Sequence, residues 1–575
     1  MNLIRYSIKD HPYLSVFAAW LYAFMMLGRF RIDGVMTINY LSPVIFAVLL
    51  IIGELMLMKK SGAGEEEIKK DIIKTSLASL VFTAYMLVML WVFSIVPSMK
   101  MFDGRNSAVP FFFGLAALIG ILIYFTVKKK WTIRRFTIYI FAAAFVFHSF
   151  YLMYSGLSYQ WDQGQILSTG DGHIGYIEYI HNNLSLPQFD PREKWQYYHP
   201  PLNHLLHAAF LKLQTLAGVD IRIAIYNVTY LPMLYLMLLL IVFLRLTREF
   251  GVGRKYGNIM LAVCACSPAF FFIGGYVNND MLSTLLMVAS VYFAVVWYKK
   301  RKMSVIVKTA LCFGLGMFTK LSVWMAAVPI AIIFITALVR DIRAKNGKAL
   351  AGKLGQMGVF LGISVPLSFY WSVRNLVRFG IPLGYIPVNR DDTQLITQDV
   401  LTRLFDFNPS QLNPSWVAYV KMNDGYNEYN PLISLIKSSS SAMMLRGYIN
   451  YPLFAATVLL CITGFVSMIV LLIKKKSLHP LHKAVLASFY AVIMISYYIF
   501  CFKYPVVCTE EIRYASPVIF IGAFFTACAV RELAKSKKLR RLSYVLTAVP
   551  ALFCALSLVM IAYDGLYTAL WLNMM

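Results

Sequence analysis

Apolar runs of membrane-spanning length recur along the whole chain, and nothing else in the sequence restricts the possible folds so strongly. A perpendicular transmembrane helix needs ~20 predominantly apolar residues. Such runs lie at 13–28, 40–58, 76–97, 110–127, 136–156, 223–246, 257–275, 279–298, 305–319, 322–339, 356–373, 448–473, 482–502, 515–532 and 542–563. With 59% hydrophobic and 14% charged residues over 575 positions, and a mean hydropathy of +0.64, the chain is too apolar and too long for one soluble core. The expected fold is an all-α polytopic membrane protein of about 15 transmembrane helices. The run at 305–319 is short and followed by Lys320, and the exit of the first run carries Arg29 and Arg31.

Lys and Arg accumulate on the side of a membrane protein that was never translocated. The basic blocks "KKKWTIRR" (128–135), "RLTREFGVGRK" (245–255), "YKKRK" (298–302), "RDIRAKNGKALAGK" (340–353), "KKK" (474–476) and "RELAKSKKLRR" (531–541) all fall in alternate loops. This orientation puts the N-terminus in the cytoplasm and the C-terminus outside a cell membrane crossed many times. The net charge of +27 then reflects short blocks at helix ends facing anionic membrane lipids, and implies no nucleic-acid partner. Acidic residues gather instead in two long external loops, 157–222 and 374–447. A transporter usually keeps such connections short and its polar residues within the bundle, so an enzyme with its site on the outer face is the leading class.

The first loop contains "GDGHIGYIEYIHNNLSLPQFDPREKWQYYHPPLNHLL", residues 170–206. Apolar residues at 174, 177, 180 and 184 mark one face of a short amphipathic helix, with Asp171 and His173 at its N-terminal end. Pro200 and Pro201 stop what precedes them and open "LNHLLHAAFLKLQTLAG", whose length and histidines suit an interfacial helix rather than a span. The second loop, with "YIPVNRDDTQLITQDVLTRLFDFNPSQLNPSWVAYVKMNDGYNEYNP", is polar, aromatic and without clear period, and it is long enough to serve as a lid. The eight cysteines form no C-x-x-C pair and mostly fall inside spans, with Cys508 and Cys501 nearest the exterior. The sequence shows no metal cluster, although dependence on a divalent metal stays open. No small-residue cleavage site follows the first span, which is expected to remain as an anchor.

"DGHIGYIEYI" followed by "YYHPPLNHLL" resembles the first external loop of the GT-C glycosyltransferases, particularly the protein O-mannosyltransferase and aminoarabinose-transferase branch. Further similarities follow in order: "GGYVNNDMLSTLL" (274–286), "GLGMFTKLS" (314–322), "WSVRNLVRFGIPLG" (371–384) and "EIRYASPVIF" (511–520). The resemblance covers residues 136–532. It implies a GT-C-like catalytic core there, preceded by helices of unassigned role in 1–135 and followed by a cytoplasmic loop and last helix in 533–575. It also implies the reaction: a sugar carried on a polyprenyl phosphate passes, generally with inversion, to a glycan, protein or lipid acceptor. No other cofactor is implied.

Such chemistry needs a carboxylate to take the acceptor's proton and cations to hold the departing phosphate. Asp171 and Asp162, in "YQWDQGQ", compete for the first role, because the family's acidic pair is commonly Asp-Glu and here Gly172 follows Asp171. Lys320, Arg374 and Arg513 are candidates for the second, with His173, His199, Asn279, Asp280 and Tyr514 as further substrate contacts. Each has a plainer reading: Asp171 and Asn278 to Asp280 as helix caps, His199 as a packing residue beside Pro200, and the arginines as interface anchors. Two other functions share this composition, a transporter or flippase of a lipid-linked sugar and a non-catalytic scaffold that binds one. The topology is testable directly. Single cysteines at Gln165→Cys and Ser410→Cys should react with an impermeant thiol reagent from outside intact cells, and labelling of either from the cytoplasm alone overturns the orientation.

Overall fold

The computed structural model describes residues 12–28, 108–155, 170–387, 395–408, 429–440, 449–474 and 477–571, together with residues 48 and 411. The expected span 76–97, nearly all of 40–58, and Asp162 lie outside the described residues. Every other expected span is helical, 257–275 as two helices that meet at a bend and 322–339 opening in a 3-10 turn. In chain order the helices are α1 (Pro12–Leu27), α2 (Ala108–Val127), α3 (Ile133–Ser155), α4 (Gly172–Asn183), α5 (Leu202–Leu216) and α6 (Tyr230–Glu249). There follow α7 (Arg254–Cys266), α8 (Pro268–Gly275), α9 (Asp280–Lys300), α10 (Met303–Met317), α11 (Ala327–Arg343) and α12 (Gly347–Phe379). The last six are α13 (Val400–Phe405), α14 (Pro431–Ser440), α15 (Asn450–Ile473), α16 (Pro480–Lys503), α17 (Pro517–Ala534) and α18 (Arg540–Trp571).

Nine helical segments among the described residues are long and apolar enough to cross a membrane, or ten if the bent pair α7 and α8 is one span. The expectation of about 15 also counted α1, α2 and α10, whose apolar stretches are shorter, and the two spans outside the described residues. Helix is the physical outcome throughout because only internal hydrogen bonds satisfy a backbone surrounded by hydrocarbon. Helices α6 and α9 are the most enclosed; α12 and α18 bury little of themselves. α9 packs against α6 and α10, α10 against α12, α11 against α16, and α15 against α17 and α18.

The site is set by where helices stop. α7 and α8 meet at a 56° bend, with Pro268 opening the second helix. After α8 the chain runs extended at Tyr276 before α9 begins at Asp280. Beyond α10 it is extended again at Lys320, then tightens into a 3-10 segment, Leu321–Ala326, that leads into α11. Both interruptions sit at the same end of the bundle.

Three local expectations change. In α4 the residues Ile174, Ile177 and Ile180 are buried as the periodicity requires, but Leu184 is 73% exposed. It takes a left-handed conformation, φ 51°, and ends the helix rather than extending its apolar face. α12 continues past the expected end at 373 to Phe379, where Gly380 at φ 65° closes it, so Arg374 lies on a helix and not in a loop. The second long loop contains α13 and α14 and is fastened to the stretch after α16. Leu395 forms an isolated antiparallel bridge with Val506, and the Ile396 N–H donates to the Pro505 carbonyl at 2.8 Å.

A buried ion pair strengthens that attachment. Arg403 Nη2 lies 2.6 Å from Glu510 Oε1, and both side chains are almost wholly enclosed. Arg403 also donates to the carbonyls of Cys501 and Tyr429, at 3.0 and 3.2 Å, while Ser434 Oγ donates to Glu510 Oε2 at 2.8 Å. With these extra bonds the desolvated charges are satisfied, whereas loss of one partner would cost ~3–5 kcal/mol by stranding the other.

Candidate functional site

The turn before α4 is built around glycine. Gly170 and Gly172 have φ of +66° and +74°, and a Cβ at Gly175 would overlap the Gly170 carbonyl group. Asp171 sits between them at the N-cap position of α4, with an extended backbone and no side-chain cap bond. Its carboxylate instead accepts the Trp195 backbone N–H at 3.1 Å, while the Gly172 N–H donates to the Trp195 carbonyl at 3.2 Å. Tyr197 adds a third tie, its hydroxyl donating to the Gly170 carbonyl at 2.9 Å. The acidic turn and the segment before Pro200 thus form one unit.

That unit is anchored to the bundle from two sides. The Trp371 indole of α12 donates to the Tyr198 carbonyl at 3.1 Å, and the Leu202 N–H of α5 donates to the Phe318 carbonyl at the end of α10 at 3.1 Å. Between it and the helix breaks lies a cavity of about 560 Å³. His173, Trp195, Tyr198 and His199 form one wall; Asn278, Asn279, Asp280 and Lys320 form another. Tyr385 and Ile386 after α12, the end of α16 and the segment to Tyr514 complete it.

Lys320 donates to Asp280 Oδ1, and Asn278 Nδ2 donates to Asp280 Oδ2 at 2.6 Å. The Asp280 N–H donates back to Asn278 Oδ1 at 2.6 Å, a side-chain turn just ahead of α9, whose N-cap residue is Asn279. Asn279 Nδ2 donates to the Thr319 carbonyl at 3.3 Å, so the two helix breaks are bonded to one another. The Lys320 ammonium lies 4.9 Å from the centre of the Tyr514 ring, and the Arg513 guanidinium lies at the same distance from that ring. Arg513 Nε is also 2.6 Å from Glu511 Oε2. Two cations therefore flank one aromatic ring in the cavity.

Of the residues singled out from sequence, His173, His199, Asn279, Asp280, Lys320, Arg513 and Tyr514 line this one cavity. Asp171 is not among the lining residues; its carboxylate is bonded to the backbone of Trp195, which is. Arg374 lies elsewhere. It donates to Asn375 Oδ1 at 2.8 Å and to the Pro187 carbonyl, and it stacks over Trp371 at 4.6 Å, fastening the linker after α4 to α12. Sequence reasoning passed over Trp195, Tyr198, Tyr385, Trp324 and Tyr504. The aromatic pair before His199 was the available signal for one of them.

A second, apolar space of about 610 Å³ adjoins the first. It runs between α11 and α16, lined by Val328, Ala491, Val492, Ile495 and Ile499, with Lys503 at its polar margin. Trp324, Gly384, Ile386, Ser496, Phe500 and Tyr504 line both spaces. Ile495 and Ile499 are 59% and 60% exposed, so the groove opens toward the outside of the bundle.

Residues 198–368 match the family of dolichyl-phosphate-mannose-protein mannosyltransferases. That segment, less than half of the chain, is similar to a family of the GT-C glycosyltransferase type. The matched segment begins at the Tyr198 of the cavity wall and includes His199, Asn279, Asp280 and Lys320. Two solved structures from Archaeoglobus fulgidus are similar. One is the archaeal oligosaccharyltransferase AglB in complex with an inhibitory peptide and a dolichol-phosphate, at 13% identity over 76% of this chain, with a TM-score of 0.42. The other is an oligosaccharyltransferase in the apo form, at 14% identity over 75% of this chain, with a TM-score of 0.43. This chain spans 56% of the length of each. No curated protein matches it.

Among the described residues no group of three His, Cys, Asp or Glu side chains is arranged to hold a metal ion. The histidines at the wall are neutral. Burial, reinforced by neighbouring His199, Lys320 and Arg513, holds His173 well below 6.5; burial with Lys320, His204 and Arg513 does the same for His199. Burial also lowers His204, and it brings His207 to about 4. A histidine lowered on folding takes up its proton in the unfolded chain first. Its stabilisation is complete above pH 6.5 and is lost as pH falls, for His207 down to about 4. Each such group can cost up to about 1.4 kcal/mol per pH unit in that window. Thermal unfolding of the purified protein should therefore shift steadily to lower temperature from pH 7 to pH 5. An unfolding temperature independent of pH over that range would mean the histidines are not buried as described.

Proposed function

We propose that this glycosyltransferase moves a sugar from a polyprenyl-phosphate-linked donor to an acceptor hydroxyl on the extracytoplasmic face, with inversion. The observation that carries the reading is the junction of two unlike spaces: a cavity holding Lys320, Arg513 and Tyr514, and an apolar groove between α11 and α16 that shares its lining. A polyprenyl-phosphate sugar has the same division, a charged head and a long hydrocarbon tail.

In this reading the acceptor oxygen attacks the anomeric carbon from the face opposite the phosphate. The bond from that carbon to the phosphate oxygen breaks, polyprenyl phosphate departs with one more negative charge, and an aspartate of the first external loop takes the acceptor's proton. Lys320 and Arg513 meet the developing charge, and in a site partly shielded by lipid their attraction is stronger than in water. Asp171 or Asp162 supplies the base; Asp171 does not line the cavity and serves only if the acceptor reaches it past the backbone of Trp195.

Transfer of radiolabelled sugar from a polyprenyl-phosphate donor by the purified protein is the direct test, since a flippase or a binding scaffold would leave the donor intact. Asp171→Asn should keep donor binding and cut turnover ~10²-fold or more. Arg513→Lys should lower turnover substantially and Arg513→Ala nearly abolish it, because an ammonium cannot reproduce the two-pronged contact of a guanidinium. Normal transfer by Asp171→Asn removes that residue as the base; normal transfer by Arg513→Ala removes the guanidinium from the phosphate site. Ala491→Trp, which fills the groove, should raise KM for a long-chain donor more than for a short-chain one. Equal effects on both would take the tail out of the groove.

A further inference from the structure

Helix α5 turns polar residues toward the protein interior where a surface helix would ordinarily place apolar ones. Asn203, His204 and His207 are each 0% exposed. This face reaches the cavity through His204, whose Nε2 lies 2.9 Å from Nδ1 of His173. The two rings are 13° from parallel, and the Tyr176 ring packs on His204 at 4.2 Å. His173 is thereby fixed by a hydrogen bond and by stacking, with its Nδ1 occupied.

One proton lies between these two nitrogens, and its position decides what His173 presents to the cavity. If His173 Nδ1 carried it, His204 would bear its own proton on Nδ1, a buried nitrogen with no acceptor among the described residues. A buried N–H without an acceptor is costlier than an idle lone pair. The favoured arrangement has the His204 Nε2–H donating to His173 Nδ1, which leaves the His173 proton on Nε2. The nearby cations do not reverse this preference, since Lys320 is directed at Asp280 and Arg513 Nε at Glu511. Burial keeps both imidazoles neutral, so neither becomes a doubly protonated donor.

We propose that His204 is a positioning residue: it locks His173 in the Nε2–H tautomer, so that the cavity offers the departing phosphate a neutral, oriented donor beside Lys320 and Arg513. This rests on the transferase reading above and adds to it a residue that touches no substrate. Sequence spacing alone would not single it out, because His204 follows the Pro-Pro pair as one of two histidines in an interfacial helix.

The test compares wild type, His204→Gln, His204→Phe, His173→Ala and the double variant His173→Ala with His204→Phe. Gln can still donate to His173, and Phe keeps the ring stack while removing both nitrogens. Measurements are kcat and KM for sugar transfer, equilibrium binding of decaprenyl phosphate, and thermal unfolding. His204→Phe should lower kcat and weaken decaprenyl phosphate binding about tenfold, the worth of one hydrogen bond to a charged group, with the unfolding temperature kept. His204→Gln should restore most of both. In the His173→Ala background, His204→Phe should add less than twofold, because the two residues act as a unit. Full activity and binding in His204→Phe, or losses that multiply in the double variant, overturn the proposal. If instead the wild type binds decaprenyl phosphate but transfers no sugar, the transferase reading fails, and the binding measurements still decide the role of His204.

Discussion

A buried carboxylate, Asp280, and the part-buried ammonium of Lys320 hold together the end of the bundle on which everything else rests. Their partners show why. Asp280 opens α9 and exchanges hydrogen bonds with Asn278, Lys320 closes the extended link after α10, and Asn279 reaches across to Thr319. Two interrupted helices, which would otherwise leave polar backbone unsatisfied beside lipid, thereby supply one another's hydrogen bonds. The same arrangement leaves a cation over Tyr514 inside a cavity. Structural need and chemical capacity are met by the same four residues.

The electrostatics of the cavity follow from that economy. Each cation there has a carboxylate partner, Asp280 for Lys320 and Glu511 for Arg513, so neither charge is stranded before a ligand arrives. A paired cation still attracts an incoming phosphate, and its position is fixed in advance by the pairing. The histidines contribute in the opposite manner. Kept neutral by burial, they add directional hydrogen bonds without adding positive charge.

What could be read from sequence depended on distance along the chain. Asn278 to Asp280 and Lys320 were legible because they interrupt apolar runs, although nothing local says that residues 40 positions apart would bond. Arg374 was misplaced for a simple reason: hydropathy ended its span at 373, whereas the helix runs on until Gly380 supplies a left-handed stop. Leu184 failed similarly, since an apolar periodicity cannot distinguish the last turn of a helix from its cap. The pair of Arg403 with Glu510 bridges 107 positions and was invisible. On α5 the polar stripe at 203, 204, 207 and 214 was present in the letters. Reading the helix as interfacial did not say which way that stripe faces, and the structure turns it to the interior.

The inward turn of that polar face has a material consequence. Its apolar back, Leu206, Leu213 and Leu216, is exposed, at 40%, 67% and 73%, while its inner face stands behind the cavity wall. One side of the cavity is therefore backed by a helix whose outer face meets little of the described protein beyond the contact of Phe210 with Trp20 and Phe24. Whatever meets that apolar back bears on α5 and, through the bond of His204 to His173, on the cavity wall.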